Sequence, residues 1–199
     1  MLKGVYMSSD IDMASNALQM IGATPINSFD EPGAGAAVAK ALFEPLLTAM
    51  LTRDYWRFAI KKQKLNLLSQ TPLNEYKYAY QIPTDCLKIE RVYQVAGYKI
   101  FRDLIYTDIL DIDIDYVYRM DSTLIPAYFE LAFTYKLASE FALSVTDDAG
   151  KNQLYEQKFR SAMAEAYAAD AMQYPQTPIQ DQPFTDVRFG GGINNGYGF

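Results

Sequence analysis

Histidine is absent from the 199 residues, and cysteine occurs once, at Cys86. Without histidine there is no Ser-His-Asp triad, no Cys-His dyad and no histidine-ligated metal. A single thiol leaves no internal disulfide and no Cys-x-x-Cys metal motif. Cations are scarce: 18 Lys and Arg stand against 24 Asp and Glu, a net charge of -6. A chain this acidic is poorly suited to gripping a phosphate backbone. Met1–Tyr6 lacks the apolar stretch of a secretory signal. Lys40, Glu44 and Pro45 interrupt the longest apolar stretch, Ala36–Met50, short of the ~18 apolar residues of a membrane span. The expectation is a protein that folds in a cytoplasm with its thiol reduced and has no membrane partner.

Hydrophobic residues, by contrast, make up half the chain, with 16 Tyr and 11 Phe among them. The length suits one domain, or one domain carrying an insertion, and hides roughly 70% of the unfolded surface. Ser9 and Asp12 form a capping-box pattern, and Ile11, Ala14, Leu18 and Ile21 share one helical face. Gly22 is placed to stop that helix and Pro25 to prevent its restart. A second helix is expected over Ala36–Arg53, with Val38, Leu42, Leu46, Ala49 and Met50 inward and a kink near Pro45. From Trp56 the apolar period shifts to two. Residues 57–120 read as a small antiparallel sheet, with a turn over Ser69–Asn74, a hairpin turn at Gly97 and the clearest alternation over Ile112–Met120. Two further helices follow. Ala127–Val145 has Pro126 at its first position and Phe129, Phe133, Leu137 and Phe141 on one face. Ala149–Tyr174 is capped by Thr146–Asp148 and faces inward through Leu154, Phe159, Met163, Ala166 and Ala169. The fold class is therefore α+β. About four helices (8–56 and 121–174) form an antiparallel-packed bundle, a small antiparallel β-domain (57–120) is inserted between helix 2 and helix 3, and an extended C-terminal arm (175–199) follows.

Four local patterns carry possible chemistry. Asp111, Asp113 and Asp115 have the opening spacing of an EF-hand loop, but Tyr116 stands where that loop needs glycine and Ser122 where it needs glutamate. The alternating Ile112 and Ile114 place the three carboxylates on the solvent face of a strand. Gly33 and Gly35 precede a helix, as in a phosphate cradle, but no Gly-Lys-Ser/Thr follows, which favours a flexible helix entry. Lys61, Lys62 and Lys64 form the one basic run. With Tyr55, Trp56 and Phe58 beside it, the run has the composition of a nucleic-acid platform, or equally of a solvated or salt-bridged patch. Carboxylate pairs such as Asp30 and Glu31 are adequate in kind for glycoside hydrolysis, yet among 24 carboxylates such pairs arise by chance. No cofactor is called for.

Several elements in order then take on a familiar form. They are Asn16, Ala17 and Leu18 with Ile21, Gly22, Pro25 and Ile26; the acidic loop at Asp30 and Glu31; an alanine-rich helix; and Arg53, Asp54, Tyr55 and Trp56 with Phe58 and Ala59. Leu65 follows, then Tyr80, Pro83, Asp85, Cys86, Leu87 and Ile89, the Pro126-x-x-Phe129 helix entry and an Ala/Glu-rich last helix. Over about residues 10–172 this order resembles the tail tubular protein A family, the head-to-tail adaptors of short-tailed bacteriophages. The resemblance implies a non-enzymatic virion protein with a helical bundle and a small β-domain. It implies a ring, typically of twelve copies, between the portal protein and the tail nozzle, with DNA only as passing cargo. It supplies no catalytic residue. Alternatives of other classes are a tail-associated, carboxylate-dependent cell-wall hydrolase and a DNA-end-binding module.

Two sets of residues are singled out. Trp56 and Phe58 fall where the helical period gives way to alternation and are expected to fill the seam between bundle and sheet. The arm Pro175–Phe199 lies beyond the resemblance. It combines three prolines and a triple glycine with Phe184, Phe189, Tyr197 and Phe199, a composition suited to folding on a partner, for which the portal is the candidate.

Overall fold

The computed structural model describes residues 8–69, 72–73, 75–95 and 97–173. The arm with Phe184, Phe189, Tyr197 and Phe199, the end of the last helix at Tyr174, and Gln70, Thr71 and Asn74 of the first strand connection lie outside the described residues. The elements are α1 (Asp10–Met20), α2 (Ala34–Arg53), β1 (Ile60–Lys64), β2 (Tyr78–Gln81), β3 (Cys86–Val92), β4 (Tyr98–Phe101), β5 (Leu104–Thr107), β6 (Asp113–Tyr118), α3 (Ala127–Thr146) and α4 (Ala149–Met172), with single 3-10 turns at Arg57–Ala59 and Ser122–Leu124. The architecture is α+β, with four helices and two small antiparallel sheets among the described residues.

Local chemistry sets the helix ends. Ser9 Oγ accepts from the Asp12 amide while the Asp12 carboxylate accepts from the Ser9 amide, a complete capping box. Gly22 then takes φ +79, a left-handed conformation that ends the turn at little steric cost. Asp148 caps α4 through the Lys151 amide. Pro126 is the cap of α3 rather than its first helical residue.

The bundle is organised around α3, which packs on α1, α2 and α4. Phe129, Phe133, Leu137 and Phe141 are all fully buried along its inner face. On α2 the buried face is Ala36, Ala39, Phe43, Leu47, Met50 and Leu51. The expected stripe is thus rotated: Val38, Leu42 and Leu46 only flank the core, and Ala49 is exposed. The helix is apolar nearly all round, so its periodicity cannot select a face. Its length and composition are in fact sufficient to cross a bilayer (20 residues, hydropathy 1.4), a correction to the reading of an interrupted run. In the fold it is a bundle helix that runs as one element through Pro45, which lies on its exposed side. On α4 the buried residue is Tyr155, not its neighbour Leu154, and Ala169 is half-buried.

Residues 57–120 form two three-stranded sheets, not one. Sheet A has the order β1-β6-β3 and sheet B the order β2-β5-β4, every pair antiparallel. The segment around Gly97 therefore passes from sheet A to sheet B. The hairpin lies instead between β4 and β5, through Arg102 and Asp103, with Arg102 at φ +57. One face of sheet A contributes Val117 to the bundle core. The other gives Ile114 and Tyr116 to a second core shared with Tyr80 and Ile105 of sheet B. Cys86 packs against that second core, and burial pushes its thiol up to about 11.

Candidate functional site: the bundle–sheet junction and the charged face of sheet A

The chain turns from α2 into β1 within six residues, and Trp56 lies at the turn with 1% exposure. Its indole Nε1 donates to the Met50 carbonyl at 3.0 Å, in the last turn of α2. Its ring stacks on Tyr167 of α4 at 5.1 Å and meets Phe129 of α3 edge-on at 5.0 Å. Phe58 completes the cluster, half-buried against Trp56, Tyr128 and Phe129. Three helices and the entry to sheet A thus share one aromatic knot. Edge-to-face and offset contacts of this kind add about 0.5–1.5 kcal/mol per pair beyond area burial.

Beside the knot sits a carboxylate that sequence reading missed. Asp170, 4% exposed, accepts from Arg57 Nη1 at 3.3 Å and from the Tyr128 hydroxyl at 3.2 Å, while Arg57 Nη1 also donates to the Asp170 carbonyl at 2.6 Å. The pairing ties the last turn of α4 to the residue after Trp56. Its sequence signal was faint: one acid among the alanines of α4. Loss of water around Tyr128, with Asp170 beside it, pushes that phenol up to about 12. Tyr167 rises to about 12 by burial and by its hydrogen bond to Asp54. In both, the folded state holds the proton more tightly than the unfolded chain, so the associated stability is intact below about pH 10 and declines as pH rises toward 12. A melting series across pH 9–12 is expected to show a steady fall beginning near pH 10. Tyr128→Phe should soften that fall.

A second, partly exposed network joins the residue after β6 to the first two helices. Arg119 reaches Glu44 of α2 at 2.8 Å and Asp10 of α1 at 3.3 Å, and Ser122 donates to Asp10.

The basic run has an equally definite fate. Lys61 pairs with Asp85 at 2.7 Å, Lys62 with Asp115 at 3.3 Å and Lys64 with Asp111 at 2.9 Å. Each lysine is raised above its ordinary value by that carboxylate, and Asp85 is correspondingly lowered by Lys61. Lys61 also lies over the Tyr118 ring and Lys62 over Tyr93. The three cations are matched one for one by Asp115 of β6 and by Asp85 and Asp111, which lie just before β3 and β6. This leaves the run without the uncompensated charge that phosphate binding exploits.

The aspartate series is corrected in one respect. β6 is the central strand of sheet A, and Asp115 is buried to 5% exposure. The Tyr93 hydroxyl donates to it at 2.7 Å. Asp111 remains exposed and Asp113 half-exposed, so the three carboxylates do not share one solvent face. They point to different partners, and among the described residues no three His, Cys, Asp or Glu side chains converge as metal ligands.

The glycines have steric reasons of their own. Gly33 caps α2 at φ +151, a region closed to side chains, and a Cβ on Gly35 would come within 3.3 Å of Leu18. Asp30 is held by Lys40 at 2.7 Å, and Glu31 accepts from the Asn27 amide, so this acidic pair braces its own loop. Comparison with known proteins finds no family model that matches this chain and no curated protein sequence that matches it.

Proposed function

We propose that the chain is a structural virion protein of a short-tailed bacteriophage, a head-to-tail adaptor similar to tail tubular protein A. It joins the portal to the tail nozzle as a ring of twelve copies and lets DNA pass through its channel. It is assembled in the host cytoplasm and resides at the head–tail interface, with no catalytic role. The observation that carries the reading is the aromatic knot. Trp56 and Phe58, from one part of the resemblance, meet Phe129, from another, at the point where the bundle joins the sheet. Residues distant in sequence, quoted for one family, thus form one structural unit.

Electrostatics support the same reading. Cargo DNA must slide, so a channel should repel phosphates rather than hold them, and each copy brings a net charge of -6. The one basic run is paired with carboxylates of β6 and of the turns that lead into β3 and β6. Closing a ring needs a head-to-tail contact between unlike surfaces of identical subunits. Like-charged copies oppose that closure in solution, so the portal supplies the template. The free protein is expected to sediment as a monomer at physiological salt; a stable dodecamer without portal would count decisively against templating. The function itself is tested with portal-bearing heads. The protein should co-sediment with them and then recruit the nozzle, whereas heads that neither retain it nor need it for nozzle attachment would overturn the reading.

A further inference from the structure

Sheet B has an outer face turned away from sheet A. The register places Ala79, Leu104, Tyr106, Lys99 and Phe101 on that face, opposite Tyr80 and Ile105, which enter the second core. Together with Leu68 and Tyr76 these residues line an apolar groove of about 470 Å³. That volume lies within the range of preformed ligand pockets. Its charged rim is already neutralised, Lys99 meeting Glu75 at 2.6 Å. Beside the groove runs β4, the edge strand of the sheet, all four residues exposed. Phe101 is 56% exposed, with Ile100 at 45% and Tyr98 at 41%. An exposed apolar edge of this kind invites pairing and is ordinarily covered.

We infer that this groove and edge receive the chain's own C-terminal segment, residues 174–199. Three features single out that occupant. The segment begins with Tyr174, Pro175, Gln176, Thr177 and Pro178, a Pro-x-x-Pro sequence. Such segments dock in aromatic-lined grooves because proline has already restricted the backbone, so little entropy is lost on binding. The segment departs from the end of α4, where Gln173 touches Tyr128 at the bundle–sheet junction. At about 3.1 Å per residue in an extended form, its 26 residues reach on the order of 80 Å. Finally, Phe184 and Phe189 follow the prolines at spacings that let a strand laid on β4 present rings to the groove and to Ile100. The same segment cannot occupy this groove and a portal at once. The docking inferred here is that of the free protein.

The inference is tested on the free full-length chain, without a portal, so its outcome is separate from that of the adaptor reading. A nitroxide is attached at Gln180→Cys in a Cys86→Ala background, and amide signals are followed by NMR. The expected result is strong broadening of Lys99, Phe101 and Tyr106, with the α1 amides unaffected. It should disappear in Phe101→Ser combined with Tyr106→Ser while the α3 signals keep their positions. A mixture of labelled, isotope-free chains with unlabelled, isotope-enriched ones identifies the source. Broadening that appears in the mixture as strongly as within one chain assigns the segment to a second copy and overturns the inference. Absence of broadening on sheet B in either sample overturns it as well.

Discussion

Trp56→Ala is expected to cost about 3–5 kcal/mol of stability, as truncation of a buried Trp does. For a domain of this size each 1 kcal/mol moves the melting temperature by about 2–4 °C, so the loss should exceed ~6 °C. The size follows from position. The ring touches α3 and α4, and its indole nitrogen is bonded to the end of α2. Removing it opens a void shared by three helices and leaves the Met50 carbonyl without its donor. The surrounding rings are held by other bonds, Tyr167 by Asp54 for example, and cannot collapse freely into the space. Trp56→Phe should recover part of the loss by restoring ring contacts without the hydrogen bond. The neighbouring Tyr55, mostly exposed, is the control, with Tyr55→Ala expected within ~0.5 kcal/mol of wild type. Wild-type melting of Trp56→Ala would show that the knot does not hold bundle and sheet together.

Deletion of residues 176–199 is expected to separate folding from attachment. Among the described residues the two cores are built from residues between Met13 and Ala166, so the truncated chain should retain its far-ultraviolet spectrum and a cooperative melt close to that of the full chain. It should nevertheless fail to join portal-bearing heads, because the aromatic anchors Phe184, Phe189, Tyr197 and Phe199 have been removed. Normal attachment by the truncated form would sink the portal-arm proposal. Loss of the cooperative melt would instead make the segment a strap on its own subunit that the fold requires.

What the sequence disclosed and what it concealed have identifiable causes. The start of α1 was legible because a capping box is a local pattern, and the buried face of α3 because phenylalanine and leucine recur every four residues between polar neighbours. The alternation over Ile112–Met120 gave the central strand. The split into two sheets was not legible, since it depends on pairing β6 with β1 and β3 across long stretches of chain, and no local signal records that register. Gly97 looks like a hairpin turn for the same reason. The face of α2 was hidden by its own composition, as alanine and leucine occupy nearly every side. Asp115 misled because an acid alternating with isoleucine ordinarily faces water; here Lys62 and Tyr93 satisfy it in a buried position. Asp170 was missed because its partners, Arg57 and Tyr128, lie far away in sequence.

The pairing of Lys61, Lys62 and Lys64 bears on the choice between the proposed adaptor role and the DNA-end-binding alternative. A phosphate-gripping module needs cations free to release counterions, and these three already have carboxylate partners.

The most direct measurement mixes the purified protein with its portal and images the product by electron microscopy. The prediction is a closed ring of twelve copies, coaxial with the portal and open along the axis. Portal particles that carry no added ring, with the protein left free in solution, would contradict the adaptor reading.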